Sequence, residues 1–198
     1  MPPISDIVKH LIIINVLVFF AYNSVLGTYI PDLSIYWPED PRFKPFQIVT
    51  HMFHHYNLRH VGFNMFALYI FGSMVERALG PKRFLQLYLL SGFGAFLAHV
   101  GIQYFMHFNY NINGFVGALG ASGAVMGVTI AYAVLFPNHK LLLLIPPIPI
   151  KAKYLALAYV AYDLYSGLSG ADNGVANWAH LGGALTGFLL VKYLLKRR

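Results

Sequence analysis

The chain has no cysteine. That excludes disulfides, thiolate metal sites and a cysteine nucleophile. Charge is also scarce: 11% of its 198 residues are Asp, Glu, Lys or Arg, whereas a soluble domain carries about 25%. Acids are the rarer sign, 7 against 14 Lys and Arg. So little charge does not cover a water-facing surface. What the chain has instead is apolar residues, 58% of the total, in runs that recur along its whole length. Lipid is the better solvent for such a sequence. The length suggests a single domain, residues 1–198. A net charge of +7 in a soluble protein would point to nucleic acid. Here the charges sort by loop, so the lipid bilayer is the expected partner and nucleic acid is not.

A membrane-spanning helix needs about 20 mostly apolar residues. Six segments meet this, near 10–29, 58–75, 84–106, 116–136, 154–170 and 176–195. The expected fold class is therefore all-α, a polytopic membrane protein of six transmembrane helices with a long loop between the first two. That loop, residues 27–57, contains Pro31, Pro38, Pro41 and Pro45. The first run, from Leu11, is long and lacks a small-residue cleavage site after it, so it reads as a retained helix rather than a signal peptide. Leu141–Ile150 is apolar but short and carries Pro146, Pro147 and Pro149. Proline breaks helices, so this stretch is expected to be a loop at the membrane surface.

Basic residues set the orientation. Lys9, Arg77, Lys82, Arg83, Lys140, Lys151, Lys153, Lys192, Lys196, Arg197 and Arg198 fall on one side of the six-helix arrangement. Only Arg42, Lys44 and Arg59 fall on the other. Both termini are expected in the cytoplasm, with the first loop and the loops near 107–115 and 171–175 facing out.

Polar groups at membrane depth cost a few kcal/mol each and are functional candidates. In the second segment His60 and Asn64 are four apart and share a helix face, with His51, His54 and His55 just before them. Gly120-Ala121-Ser122-Gly123 opens the fourth segment. Its small residues expose the hydroxyl, and a helix start supplies N–H groups and the positive dipole end. In the sixth segment His180 shares a face with Gly183 and Gly187, and such a stripe allows close helix approach in lipid. Ser122 is the natural neighbour for His180. Taken singly, each feature has an ordinary packing explanation; their joint occurrence is specific.

With these residues the sequence resembles the rhomboid family of intramembrane serine proteases, over about residues 10–195. The resemblance rests on His60-Val-Gly-Phe-Asn64, Gly120-Ala-Ser-Gly123 and Ala179-His180-Leu-Gly-Gly183 with Gly187. It implies a rhomboid-like bundle in a cell membrane, with a bacterial inner membrane the expected home. It implies a serine endopeptidase acting on single-pass or other transmembrane protein substrates, with no cofactor and no metal. By resemblance Ser122 is the nucleophile, His180 the general base and then acid, and Asn64 and His60 stabilise the oxyanion. The family's dyad needs no third acid, so Asp163 in the fifth segment is expected to be structural. Lateral substrate access past the fifth helix, with the loop after Gly167 as a cap, is likewise an implication of resemblance.

Two positions depart from common members. Phe46-Gln47 stands where many carry Trp-Arg in the first loop, and Met126 stands where some bacterial members stack an aromatic on the catalytic histidine. Two other readings remain. One is a catalytically inactive rhomboid-like protein that binds membrane clients, although such relatives usually lack the Ser or the His. The other is a metal or proton transporter using the histidines, since His51 and His55 have i, i+4 spacing.

Overall fold

The structure, a computed structural model, describes residues 3–110, 116–142, 147–169 and 175–196. It is all-α apart from one short hairpin. Helix α1 (Asp6–Tyr22) is followed by a 3-10 turn (Val25–Tyr29). The long first loop holds one short α-helix, α2 (Gln47–Thr50), continued by a 3-10 turn (His51–Phe53). Helix α3 (Leu58–Ala67) runs through a π turn (Leu68–Gly72) into α4 (Ser73–Leu79). Then come α5 (Pro81–Tyr110), α6 (Ser122–Leu135), α7 (Ala152–Ser169) and α8 (Val175–Lys196). Gly80 ends α4 with φ 85° and Pro81 opens α5. That order suits a left-handed cap residue followed by a residue without an N–H.

Two helices, α5 and the stretch Asn177–Lys196 of α8, are long and apolar enough to cross a membrane; α6 is apolar but shorter. The side chain of Glu76 on α4 caps α1. Its carboxylate accepts from the Ser5 hydroxyl at 2.5 Å and from the N–H groups of Ile7 at 3.1 Å and Val8 at 3.0 Å. An acid there satisfies donors that the helix cannot and meets the positive end of its dipole.

Several expected boundaries move. The first segment does not run helical to residue 29, because the chain breaks at Asn23 and Ser24. The Asn23 amide donates to the Phe19 carbonyl at 2.8 Å, and the Ser24 hydroxyl donates to Ala21 at 2.8 Å. Such side chains compete with the helix for its own backbone groups. The fourth segment does not start at 116. Ile35 and Ala118 exchange backbone hydrogen bonds of 2.8 and 2.9 Å, which holds the chain extended at Ala118, and a bend at Gly120 then leads into the helix at Ser122. The proline-rich stretch is not a plain loop: β1 (Lys140–Leu142) pairs antiparallel with β2 (Pro149–Lys151). The prolines forbid a helix there but leave the two flanks free to pair. Residues 143–146, the loop residues 111–115 and 170–174 expected to face out or cap, and Arg197 and Arg198 lie outside the described residues. Residues 107–110, expected in a loop, belong to α5.

The core centres on α6, whose Ala121 to Tyr132 stretch is almost wholly buried against Leu68, Val75, Leu87 and Val191. The glycines of α8 allow this. A Cβ on Gly183 would collide with the Gly123 carbonyl, and one on Gly187 with the Gly127 carbonyl. Gly94 of α5 likewise faces Thr186 and Gly182. Backbone therefore meets backbone along the α6–α8 seam, as small residues permit between apolar helices.

Candidate active site

Ser122 is the first residue of α6. At that position helical geometry provides no intrahelical acceptor for its N–H, and the dipole presents its positive end. Gly120 makes the approach to it. Its φ of 118° suits glycine alone, and a Cβ there would sit 2.7 Å from the His60 ring. The imidazole of His60 thus lies directly against the backbone that leads into Ser122.

His180 of α8 meets Ser122 across the glycine seam. The Ser122 hydroxyl lies 2.9 Å from His180 Nε2, in range to donate to it. On the far side of the ring, His180 Nδ1 lies 3.2 Å from Asp163 Oδ1 of α7. Asp163 is buried while His180 keeps a quarter of its side chain exposed. The three side chains therefore form a line of hydroxyl, imidazole and carboxylate drawn from three helices. Asp163, expected to be structural only, has a direct place beside the histidine. Its one signal in the sequence is an acid within an apolar segment.

Among the described residues no aromatic ring stacks on His180. Met126, standing where an aromatic was the alternative, lines the same pocket. The Asp163 carboxylate is what holds the ring from behind.

Asn64 and His60 face the same cavity as Ser122 and His180, a pocket of about 450 Å³. Asn64 uses one amide hydrogen on the His60 carbonyl at 3.0 Å, which fixes its rotamer and leaves the second. Asn57 caps α3 by accepting from the His60 N–H at 2.8 Å. Tyr56, Arg59 and Tyr159 also line this pocket, together with Phe63, Phe71 and Thr129; none of these was singled out from sequence.

The remaining histidines of the first loop do something different from lining that pocket. His51 accepts the Gly120 N–H on its carbonyl at 2.8 Å, and His55 Nε2 accepts the Ala121 N–H at 3.4 Å. The two together fix the backbone immediately before Ser122. His51 Nδ1 in turn donates to the Gln47 carbonyl at 2.8 Å, and His54 Nδ1 pairs with the Ser34 hydroxyl at 3.1 Å. Burial pushes the His51 imidazole down to about 4. Burial, helped by the neighbouring His60, pushes His55 down to about 4 as well. Both rings are therefore neutral, as the acceptor role of His55 requires. His51 also borders a smaller cavity of about 50 Å³ behind Ser122.

Gln47 explains how the loop holds without the Trp-Arg pair. It is buried, accepts the Lys44 N–H at 2.9 Å, and donates to the Asp32 and Arg42 carbonyls at 3.0 and 3.1 Å. Three backbone groups, at residues 32, 42 and 44, are tied by one amide.

The chain is similar to known proteins over most of its length. The rhomboid domain profile matches residues 42–197. Rhomboid protease AarA of Providencia stuartii is 33% identical over 154 residues, covering 71% of this chain and 53% of that protein. The mitochondrial Rhomboid protein 1 of Saccharomyces cerevisiae is 34% identical over 150 residues, covering 75% of this chain and 42% of that protein. The human mitochondrial presenilin-associated rhomboid-like protein is 30% identical over 196 residues, 94% of this chain and 48% of that protein. The chain spans about half the length of these relatives. With most of its length matched by the profile, this chain belongs to the rhomboid family of membrane-embedded proteins.

Proposed function

We propose that this protein is an intramembrane serine endopeptidase that hydrolyses peptide bonds in or near transmembrane segments of other membrane proteins. The observation that carries the reading is the 2.9 Å approach of the Ser122 hydroxyl to His180 Nε2 in a pocket of about 450 Å³. A serine hydroxyl is a weak nucleophile until a base takes its proton. His180 takes it as Ser122 Oγ bonds to the scissile carbonyl carbon, and the C=O electron pair moves onto oxygen. Asn64, His60 and the Ser122 N–H donate to that oxyanion, each such donor being worth roughly 3 kcal/mol. The tetrahedral centre collapses, the C–N bond breaks, and the amine leaves with the proton held by His180. Water, deprotonated by the same ring, then releases the acyl group. Asp163 holds the ring by Nδ1 and stabilises the imidazolium between the two transfers. No step calls for a metal or an organic cofactor.

The intramembrane character is supported by the length of α6. Its 14 residues rise about 21 Å, against a hydrocarbon thickness of about 30 Å. A helix reaching the inner surface therefore starts below the outer one, and Ser122 lies at that start. In this reading residues 1–198 form one domain of six spans, α1, α3–α4, α5, α6, α7 and α8, with both termini cytoplasmic. Substrate is a transmembrane segment that unwinds at the cut, since a hydrogen-bonded helix hides its carbonyls.

Reconstitution in liposomes with a single-pass substrate tests this. Ser122→Ala and His180→Ala should each lower cleavage by roughly 10⁴-fold or more, and a fluorophosphonate should label Ser122 only when His180 is intact. Cleavage that survives Ser122→Ala would sink the mechanism. The rhomboid-like names of several mitochondrial relatives keep an inactive client-binding role as the second reading; binding of substrate without cleavage or labelling would favour it. A histidine-based transporter fares worse, because His51 and His55 are occupied with backbone.

A further inference from the structure

The mouth of the pocket carries a cation that neither the fold nor the reaction uses. Arg59 is the second residue of α3, is exposed, and lines the cavity beside Tyr56, Asn57 and His60. Among the described residues it makes no hydrogen bond and no ion pair. The other arginine on the same loop side, Arg42, is committed to Asp40 at 2.7 Å and lies over the Tyr36 ring. Local helix energetics do not account for Arg59. A first helical turn favours acids and disfavours cations, and α3 has no acid in its first turn to compensate. Nor, among the described residues, does any carboxylate line the pocket. The rest of the lining is largely apolar, with Phe63, Ala67 and Phe71 of the same helical stretch joined by Val125 and Met126. The cavity thus sets one exposed cation beside an apolar wall, with Ser122 and His180 in the same lining.

We propose that Arg59 is a specificity-determining residue that recognises an Asp or Glu side chain of the substrate, on the water-facing side of the scissile bond. This rests on the protease reading above and names the substrate class for that site. A guanidinium binds a carboxylate with two parallel N–H···O bonds. The apolar wall takes the membrane-embedded residues of the same segment. A substrate bearing the acid at the mouth and apolar residues beyond it matches the pocket along its length. A substrate with lysine there meets a like charge.

The test uses the full chain in phosphatidylcholine vesicles. The substrates are single-pass proteins that differ only by Asp or Asn at each of the four positions on the outer flank of the cut. The wild type should prefer Asp at one of these positions by about tenfold to a hundredfold in kcat/KM, the range of one charge-assisted pair. Arg59→Gln should bring that ratio to about one, and Arg59→Glu should favour a Lys substrate instead. Wild-type cleavage with no Asp preference, or an Asp preference retained in Arg59→Gln, overturns the inference while leaving the protease reading intact. Equal loss on Asp and Asn substrates in Arg59→Gln, with anionic lipid raising the wild type's activity but not the variant's, assigns Arg59 to lipid phosphate and also overturns it. If the wild type neither cleaves any substrate nor is labelled on Ser122, the parent reading has failed first.

Discussion

The two sides of the pocket are built on opposite principles. On one side α6 and α8 meet backbone to backbone through Gly123, Gly127, Gly183 and Gly187. On the other, α7 buries only small or polar residues, Ala152, Ala156, Asp163, Ser166 and Gly167. Most of its large side chains, among them Leu157, Tyr162, Tyr165 and Leu168, point outward, and only Leu155 and Val160 pack half-buried on the core. Apolar burial contributes about 25 cal/mol per Å², so alanines and glycines hold a helix weakly. The consequence for chemistry is uneven. Ser122 and His180 ride on the two helices of the tight seam, whereas Asp163 rides on the loosely held one. A shift of α7 would widen the pocket and carry Asp163 from His180 while leaving the Ser122–His180 contact in place.

The largest effect should come from breaking the seam. Gly183→Leu places a side chain into the Gly123 carbonyl, which is rigid backbone, so the helices must separate. An ångström of misplacement costs roughly 100-fold in rate, and overpacking costs about 1–3 kcal/mol of stability. We expect cleavage to fall by more than that factor and thermal unfolding to come earlier. Gly101→Ala is the matched control, because a Cβ there meets nothing within 4 Å; it should be neutral or stabilise the helix by up to about 1 kcal/mol. An active Gly183→Leu enzyme would show that the seam does not set the geometry.

Next comes the acid on the loose side. Asp163→Asn removes the charge behind His180 and keeps the shape. A fully buried triad acid changed to its amide loses roughly 10⁴-fold. Here His180 stays a quarter exposed, so water solvates the imidazolium in part, and a drop of roughly 10- to 100-fold in kcat is expected. KM should hold, since Asp163 is not among the residues lining the pocket. A variant with full kcat would return Asp163 to a packing role.

Acid should then act on the loop that shapes the nucleophile's approach. His51 and His55 are held neutral by burial, with values near 4 against an ordinary 6.5. The unfolded chain takes up protons first as pH falls. The stability these rings confer is complete above pH 6.5 and is lost progressively as pH falls from there toward 4. The loss is on the order of a few kcal/mol. Denaturation midpoints measured from pH 7 to 5 should fall accordingly, and His55→Gln, which keeps an acceptor for the Ala121 N–H, should flatten the slope. An equally steep slope in that variant would place the acid sensitivity elsewhere.

The contrast between the two sides also explains what the sequence made legible. Small residues and polar groups in apolar runs are local signals, so the motifs around Ser122, His180 and Asn64, and the glycine stripe on α8, could be read directly. Helix ends were read less well where side chains compete with backbone, as at Asn23 and Ser24, or where a distant strand intervenes, as Ile35 does at Ala118. The partnership of Asp163 with His180 depends on how α7 leans against α8 over a separation of 17 residues; no local pattern encodes that. The histidines of the first loop were visible as a cluster, but their service to the backbone at 120 and 121 needed the fold. Gln47 looked like a departure and acts as a staple.

The smallest effect should come from the rim of the loose side. Tyr159 of α7 lines the pocket yet leaves 45% of its surface exposed. It has no part in the Ser122–His180 hydrogen bond or in the glycine contacts of the seam. Tyr159→Ala should therefore alter stability by no more than about 0.5 kcal/mol. Its effect should fall on access: if α7 is the wall that yields to a substrate helix, trimming its rim makes binding easier to begin and the bound segment less firmly held. We expect kcat/KM for a full transmembrane substrate to change by about two- to fivefold while kcat stays level, as loss of uniform binding contacts dictates. A short soluble peptide that reaches Ser122 without displacing α7 should not register the change. Were the peptide and the transmembrane substrate affected alike, or kcat reduced as much as in Asp163→Asn, α7 would be part of the fixed catalytic frame, and the two sides of the pocket would be alike after all.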